Sequence, residues 1–212
     1  MSEENARSKG LLIIIAAPSG GGKTSLVKAL LKADPKLSLS ISHTTRTPRP
    51  GESSGEQYHF VRQEAFRKMV RQEQFLEHAL VFGNYYGTHA GALAGQLERG
   101  LDVILEIDWQ GAAQVRRQFP ESCSIFILPP SLKILQERLS RRGQDSTSVI
   151  ARRMKEARSE ISHWNEFDHL VVNEDFEEAL KELQNIIEAV RRDKPPKRRE
   201  YPELVAELLG NG

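Results

Sequence analysis

Apolar residues along this chain fall into two arrangements. Unbroken runs occupy 11–17, 101–108 and 124–130 ("LLIIIAA", "LDVILEID", "SIFILPP"), rich in isoleucine and leucine as parallel strands buried on both faces are. A shorter run, "HLVVN" at 169–173, is a further strand candidate. Between the runs, apolar residues return at helical spacing, which predicts helices over 23–33, 88–99, 111–118, 131–141, 148–164 and 176–192. The first is stopped by Asp34-Pro35, and the last sets Leu180, Leu183, Ile186, Ile187 and Val190 along one face. Strands alternating with helices predict an α/β fold, a mostly parallel sheet flanked by helices.

Residues 39–86 break that alternation. They are crowded with Thr, Pro, Gly and Tyr, show one helical stretch at 64–71, and leave 75–82 ("FLEHALVF") open to either strand or helix. The stretch is expected to form a small subdomain inserted into the sheet topology. No internal repeat occurs. The tail "RRDKPPKRRE" reads as a solvated, proline-broken linker, followed by a short amphipathic helix over 202–209.

At 212 residues the chain suits one domain with insertions, and 39% hydrophobic and 28% charged residues are those of an ordinary globular protein. A formal net charge of +1 argues against a general nucleic-acid or membrane-surface binder. The single cysteine, Cys123, cannot form an internal disulfide, which points to a reducing compartment, the cytoplasm. No apolar run approaches bilayer length. The run at 11–17 is short, follows Glu3 and Glu4, and leads straight into a glycine-rich loop, unlike a signal peptide.

That loop, "APSGGGKTS" from Ala17 through Pro18, Ser19, Gly20, Gly21, Gly22, Lys23, Thr24 and Ser25, carries the first candidate chemistry. Three glycines let backbone N–H groups turn inward around an anion, and the helix that follows points its positive end at the same place. Lys23 is placed to reach the β- and γ-phosphates of a nucleoside triphosphate, and the Thr24 hydroxyl to ligate Mg²⁺. Ala17 stands where the phosphate-loop pattern has glycine; alanine suffices if its φ stays negative.

A second candidate is "SISHTTRTPRPGESSGEQYHF", where Arg46 and Arg49 stand beside Ser42, Thr44 and Thr45, with Tyr58 downstream. Paired guanidinium groups and hydroxyls suit a phosphate monoester, and Pro48 and Pro50 stiffen the segment. Taken alone, the segment reads first as a turn carrying surface arginines.

The strings "SHTTRTPRPGE", "FLEHALVFGNYYGT" and "LEIDWQG", in that order, resemble guanylate kinase, the bacterial form in particular. The likeness runs from about residue 10 to 192, and "APSG" is common at the head of that family's loop, which makes Ala17 ordinary. The resemblance implies a P-loop nucleoside monophosphate kinase with a core over 10–38, 90–137 and 168–192, a GMP-binding region over 39–89, a lid over 138–167 and a tail over 193–212. It implies ATP and GMP as substrates, GDP and ADP as products, Mg²⁺ as cofactor, and a place in purine nucleotide metabolism. Family contacts to the GMP phosphate fall on Arg46, Arg49, Tyr58 and Tyr86, and those to guanine on Ser42, Glu77, Thr88 and Asp108. Carboxylates suit the N1–H and N2–H donors of guanine, and hydroxyls can donate to O6; adenine lacks that donor pair. Lys23, Arg46, Arg142 and Arg153 take the catalytic places, Arg138 a further phosphate contact, and Arg142 and Asn173 the adenine side. Arg152 and Arg153 diverge by about a quarter turn on a helix, so they are not expected to share that work equally. Glu106 departs from the aspartate usual in the family and reaches one methylene further. The six histidines are assigned no catalytic role, because a phosphate monoester is largely ionised at neutral pH without a general base. Bacterial relatives can self-associate, and the C-terminal helix is a candidate contact.

Two rivals stand beside this reading. A related P-loop kinase acting on another phosphate monoester, such as a phosphorylated ribose, need not keep Ser42, Glu77, Thr88 and Asp108. A noncatalytic guanylate-kinase-like module that binds phosphopeptides typically lacks the loop lysine or the lid arginines, which this chain has.

Overall fold

The computed structural model of the chain describes residues 9–140 and 147–210. Its buried apolar runs become strands: β1 (Leu12–Ala16), β7 (Asp102–Glu106), β8 (Cys123–Leu128) and β9 (His169–Val172). With β2 (Leu37–Leu39) they form a five-stranded sheet in the order β2-β7-β1-β8-β9. The β2–β7 and β8–β9 pairs are parallel, and every residue of β1 and β8 is buried.

The chain divides into two compact units. The first takes Pro35–Leu105 and Gln110–Ser122 with the chain up to Ile13. It contains a four-stranded sheet in the order β4-β3-β6-β5, built from β3 (His43–Thr44), β4 (His59–Phe60), β5 (Phe75–Val81) and β6 (Asn84–His89). The ambiguous stretch at 75–82 is therefore a strand, paired antiparallel with β6. The helix expected over 88–99 begins later, as α3 (Ala90–Glu98), because Thr88 is held in β6 opposite Glu77. Phe66, on α2 (Gln63–Arg71), is fully buried, with its ring stacked on Phe75 at 4.5 Å and on Tyr85 at 5.4 Å. Strand β5 lies at the edge of this sheet, and α4 (Trp109–Gln118) covers its open backbone. Gln114 accepts from His78 N at 3.1 Å and donates to His78 O at 2.9 Å, and Gln118 donates to Leu76 O at 2.8 Å. Side-chain amides thus satisfy groups that an edge strand otherwise leaves to solvent or to another chain.

The second unit takes Ile14–Asp34, Glu106–Trp109 and Cys123–Gly212. It holds α1 (Lys23–Ala33), α5 (Leu132–Ser140), α6 (Thr147–Ile161), α7 (Phe176–Arg191) and α8 (Pro202–Leu209). On α7, Ala179, Leu183, Ile186 and Ile187 are buried, and Asp175 caps the helix by accepting from Glu178 N at 2.9 Å. Ser124 and Asp168 join neighbouring strands through the Ser124 N–H at 2.8 Å and hydroxyl at 2.6 Å. The basic tail is mostly exposed, as expected of a solvated linker, and two of its arginines are anchored. Arg198 donates to Asn165 O at 3.2 Å and Phe167 O at 3.0 Å and lies 4.8 Å from the Trp164 ring centre, while Arg199 pairs with Glu182 at 3.0 Å. Backbone carbonyls and an aromatic face are partners that charge counting along a sequence does not register.

Candidate active site

The phosphate loop leaves β1 and enters α1. Ala17 is absent from the few non-glycine residues with positive φ among the described residues, as the sequence required. Gly20 (φ 86°) and Gly22 (φ 90°) make the left-handed turns. Gly22 is also the N-cap of α1, and a Cβ there would lie 2.2 Å from Asn173 Nδ2. The loop is packed against a fixed wall. Asn173 is 4% exposed, donates its side-chain amide to Gly21 O at 2.9 Å, donates its N–H to Leu128 O at 2.9 Å, and accepts from Arg138 Nη2 at 2.9 Å. Asn173 thus links the loop to Arg138.

Two side chains at the start of α1 reach the end of β7. Lys23 Nζ donates to Ile107 O at 3.0 Å, and Thr24 Oγ1 donates to Glu106 Oε1 at 2.5 Å. The Glu106 carboxylate thus meets the hydroxyl that the loop pattern gives to Mg²⁺. Hydroxyl and carboxylate oxygens fit that hard cation, which keeps several waters and takes few protein ligands. No cluster of three or more His, Cys, Asp or Glu suited to a metal occurs among the described residues.

Residues Asp108 and Trp109 follow directly. Asp108 is half-buried, and the Trp109 ring stacks on His163 with centres 3.4 Å apart and planes 6° apart. The end of α6 also touches the loop: Glu160 Oε2 accepts from Ser19 N at 2.8 Å. Burial pushes the Glu160 carboxyl up to about 7, against the pull of the Ser19 N–H and Lys23 and with a further push from Asp108 and Glu156. Earlier on α6, Arg153 is half-buried, whereas the Arg152 side chain is 69% exposed and pairs with Glu156 at 3.7 Å. The two arginines diverge as neighbours on a helix must. Arg142 lies outside the described residues.

In the first unit, β5 and β6 set a buried polar pair. Glu77 is 2% exposed and Thr88 fully buried, and Thr88 Oγ1 donates to Glu77 Oε1 at 2.6 Å. Ser42, 8% exposed, precedes β3. The Arg46 guanidinium lies 5.4 Å from the centre of the Tyr58 ring, which meets the Tyr86 ring edge-on at 5.7 Å. Arg46, Tyr58 and Tyr86 are therefore brought together. Arg46 also bonds Glu52 at 2.9 Å, and the other Glu52 oxygen accepts from Arg49 N at 2.7 Å. That contact lowers the Glu52 carboxyl and raises the guanidinium. Sequence reasoning passed over Glu52 and Glu160. Glu52 stood inside the quoted "PRPGE", six residues from Arg46, but the turn that joins them has no periodic signature. Burial lowers two histidines: His43 falls to about 4 through desolvation and then through His59 and His89, and desolvation also lowers His169.

A phosphate loop closing a buried strand, with its lysine and threonine directed at the end of a second strand, defines a P-loop nucleoside monophosphate kinase fold. Residues 9–190 match the family model for guanylate kinase. The chain is 52% identical over 201 residues to a guanylate kinase of Thiobacillus denitrificans, covering 95% of this chain and 96% of that one. It is 58% identical over 184 residues to one of Hahella chejuensis, covering 87% and 88%. Among solved structures, a guanylate kinase from Anaplasma phagocytophilum superposes with a TM-score of 0.74 at 35% identity, covering 87% of this chain and 88% of that one. The chain belongs to the guanylate kinase family.

Proposed function

We propose that this chain performs the ATP:GMP phosphotransfer of its family with the residues named above, giving ADP and GDP. The observation that carries the reading is the Glu77–Thr88 pair, a carboxylate 2% exposed and held by a hydroxyl at 2.6 Å. A carboxylate oriented in this way can accept from the donor edge of guanine, N1–H and N2–H. Thr88 has one hydroxyl hydrogen, already given to Glu77. Thr88 therefore orients the carboxylate, and the donor to O6 falls to Ser42. Asp108 is assigned to the same base edge. Arg46, Arg49, Tyr58 and Tyr86 grip the phosphate of GMP.

On the donor side, backbone N–H groups of the loop and Lys23 hold the triphosphate. Mg²⁺, which Thr24 and Glu106 suit, supplies neutralisation of phosphate charge when bound. Arg138, Arg142 and Arg153 add positive charge where negative charge spreads over the transferring phosphoryl group. No general base is required, since the acceptor phosphate, with a second pKa near about 6, is already ionised at neutral pH. Catalysis is positioning plus electrostatics. The division into core, GMP-binding region (39–89) and lid (138–167) belongs to this reading, as does action in the cytoplasm. No helix among the described residues is long and apolar enough to cross a membrane.

The test is ADP release with ATP against GMP, AMP, UMP and ribose phosphates. GMP is expected to be used far better than the others; equal use of any other acceptor contradicts the assignment. Lys23→Ala should abolish most turnover with every acceptor.

A further inference from the structure

Glu160 belongs to none of the motifs used so far, yet it touches the phosphate loop. Its Oε2 accepts the Ser19 N–H at 2.8 Å, so one early amide of a loop built to face anions is held by a carboxyl group on α6. The same helix carries Arg153. Residues 153 and 160 are two turns apart, about 10 Å along the axis and within about 20° around it, and so share a face. Exposure agrees: Arg153, Glu156 and Glu160 are half-buried and Ala157 and Ile161 buried, while Ala151, Arg152, Lys155, Arg158 and Ser159 are exposed.

We propose that Glu160 is a positioning residue for phosphoryl transfer: by holding Ser19, it sets the distance between the phosphate loop and the face of α6 that presents Arg153. The proposal rests on the role assigned to Arg153 above. Glu160 acts through Arg153 and touches no reacting atom. The groups around it are Lys23, Asp108 and Glu156, with burial dominant. Whether its proton is on or off, an oxygen remains to accept from Ser19, so the brace works through reach rather than charge.

Kinetics of ADP release, with melting temperatures as a check on folding, test this for Glu160→Ala, Glu160→Gln, Glu160→Asp, Arg153→Ala and the Arg153→Ala/Glu160→Ala double variant. Glu160→Ala should lower kcat about tenfold or more while KM for GMP stays within about twofold, as displacement of a catalytic group does. Glu160→Gln, whose amide oxygen can still accept, should lose less than Glu160→Asp, whose carboxylate stops one methylene short. The double variant should fall no more than about threefold below Arg153→Ala alone, since both changes remove one function. Wild-type kcat in Glu160→Ala, better turnover in Glu160→Asp than in Glu160→Gln, or a double-variant loss equal to the product of the single losses each overturns the proposal. Wild-type turnover in Arg153→Ala removes the role of Arg153 itself and the proposal with it, so the two failures are told apart. Should Glu160→Ala not fold, the order of the Gln and Asp variants decides alone.

Discussion

Thr88 donates its hydroxyl hydrogen to Glu77 at 2.6 Å across the β5–β6 pair, and neither side chain is more than 2% exposed. The bond ties the Glu77 carboxylate to β6 and orients it. Thr88→Val keeps the shape and removes the donor. It is expected to raise KM for GMP about tenfold, the worth of one hydrogen bond to a charged group, with KM for ATP unchanged. Steady-state kinetics with each substrate varied in turn checks this.

The phosphate loop permits little change at Gly22. Its φ of 90° already strains any L-residue, and a Cβ would lie 2.2 Å from Asn173 Nδ2. Gly22→Ala should cost about 1–2 kcal/mol from the left-handed backbone alone, push Asn173 off Gly21 O, and weaken ATP binding. Calorimetric titration with ATP and a melting curve report the two effects separately.

Much of this architecture was legible in the hydrophobic pattern. The isoleucine-rich run before the loop read as a strand buried on both faces and is one, and Asp34-Pro35 stopped α1 where the sequence said. The inserted region was harder for a physical reason. Its strands β3 and β4 are two residues each, too short to display a period of two, and Thr88 looked like the start of a helix because Ala90 onward is helical. The site residues were recognisable by type but not by partner. Nothing in the order of residues announced that Glu52 would bridge Arg46 and Arg49 N–H, or that Glu160 would reach Ser19, because both contacts depend on how the chain folds back.

Acid should destabilise the first unit through His43. In the folded chain this imidazole is depressed from 6.5 to about 4 by burial and by His59 and His89, whose ring centres lie at 4.7 and 5.9 Å. A base depressed by folding binds its proton in the unfolded chain first. Stability contributed at neutral pH is therefore lost as pH falls from about 6.5 towards about 4. Urea midpoints at pH 7 and pH 5 should differ more for the wild type than for His43→Phe, which keeps a ring against Phe75. Equal differences would remove His43 as the source.

The account turns on Glu77 reading the donor edge of guanine, and one comparison reaches that claim directly: the ratio of kcat/KM for GMP to that for AMP, in the wild type and in Glu77→Ala. The wild type should favour GMP by about 10⁴ or more, as sites built to pair with a substrate's polar groups do. Removing the carboxylate should collapse that preference by about a hundredfold or more, mainly through KM for GMP. A Glu77→Ala variant that folds, turns over, and discriminates GMP from AMP as well as the wild type would contradict the account.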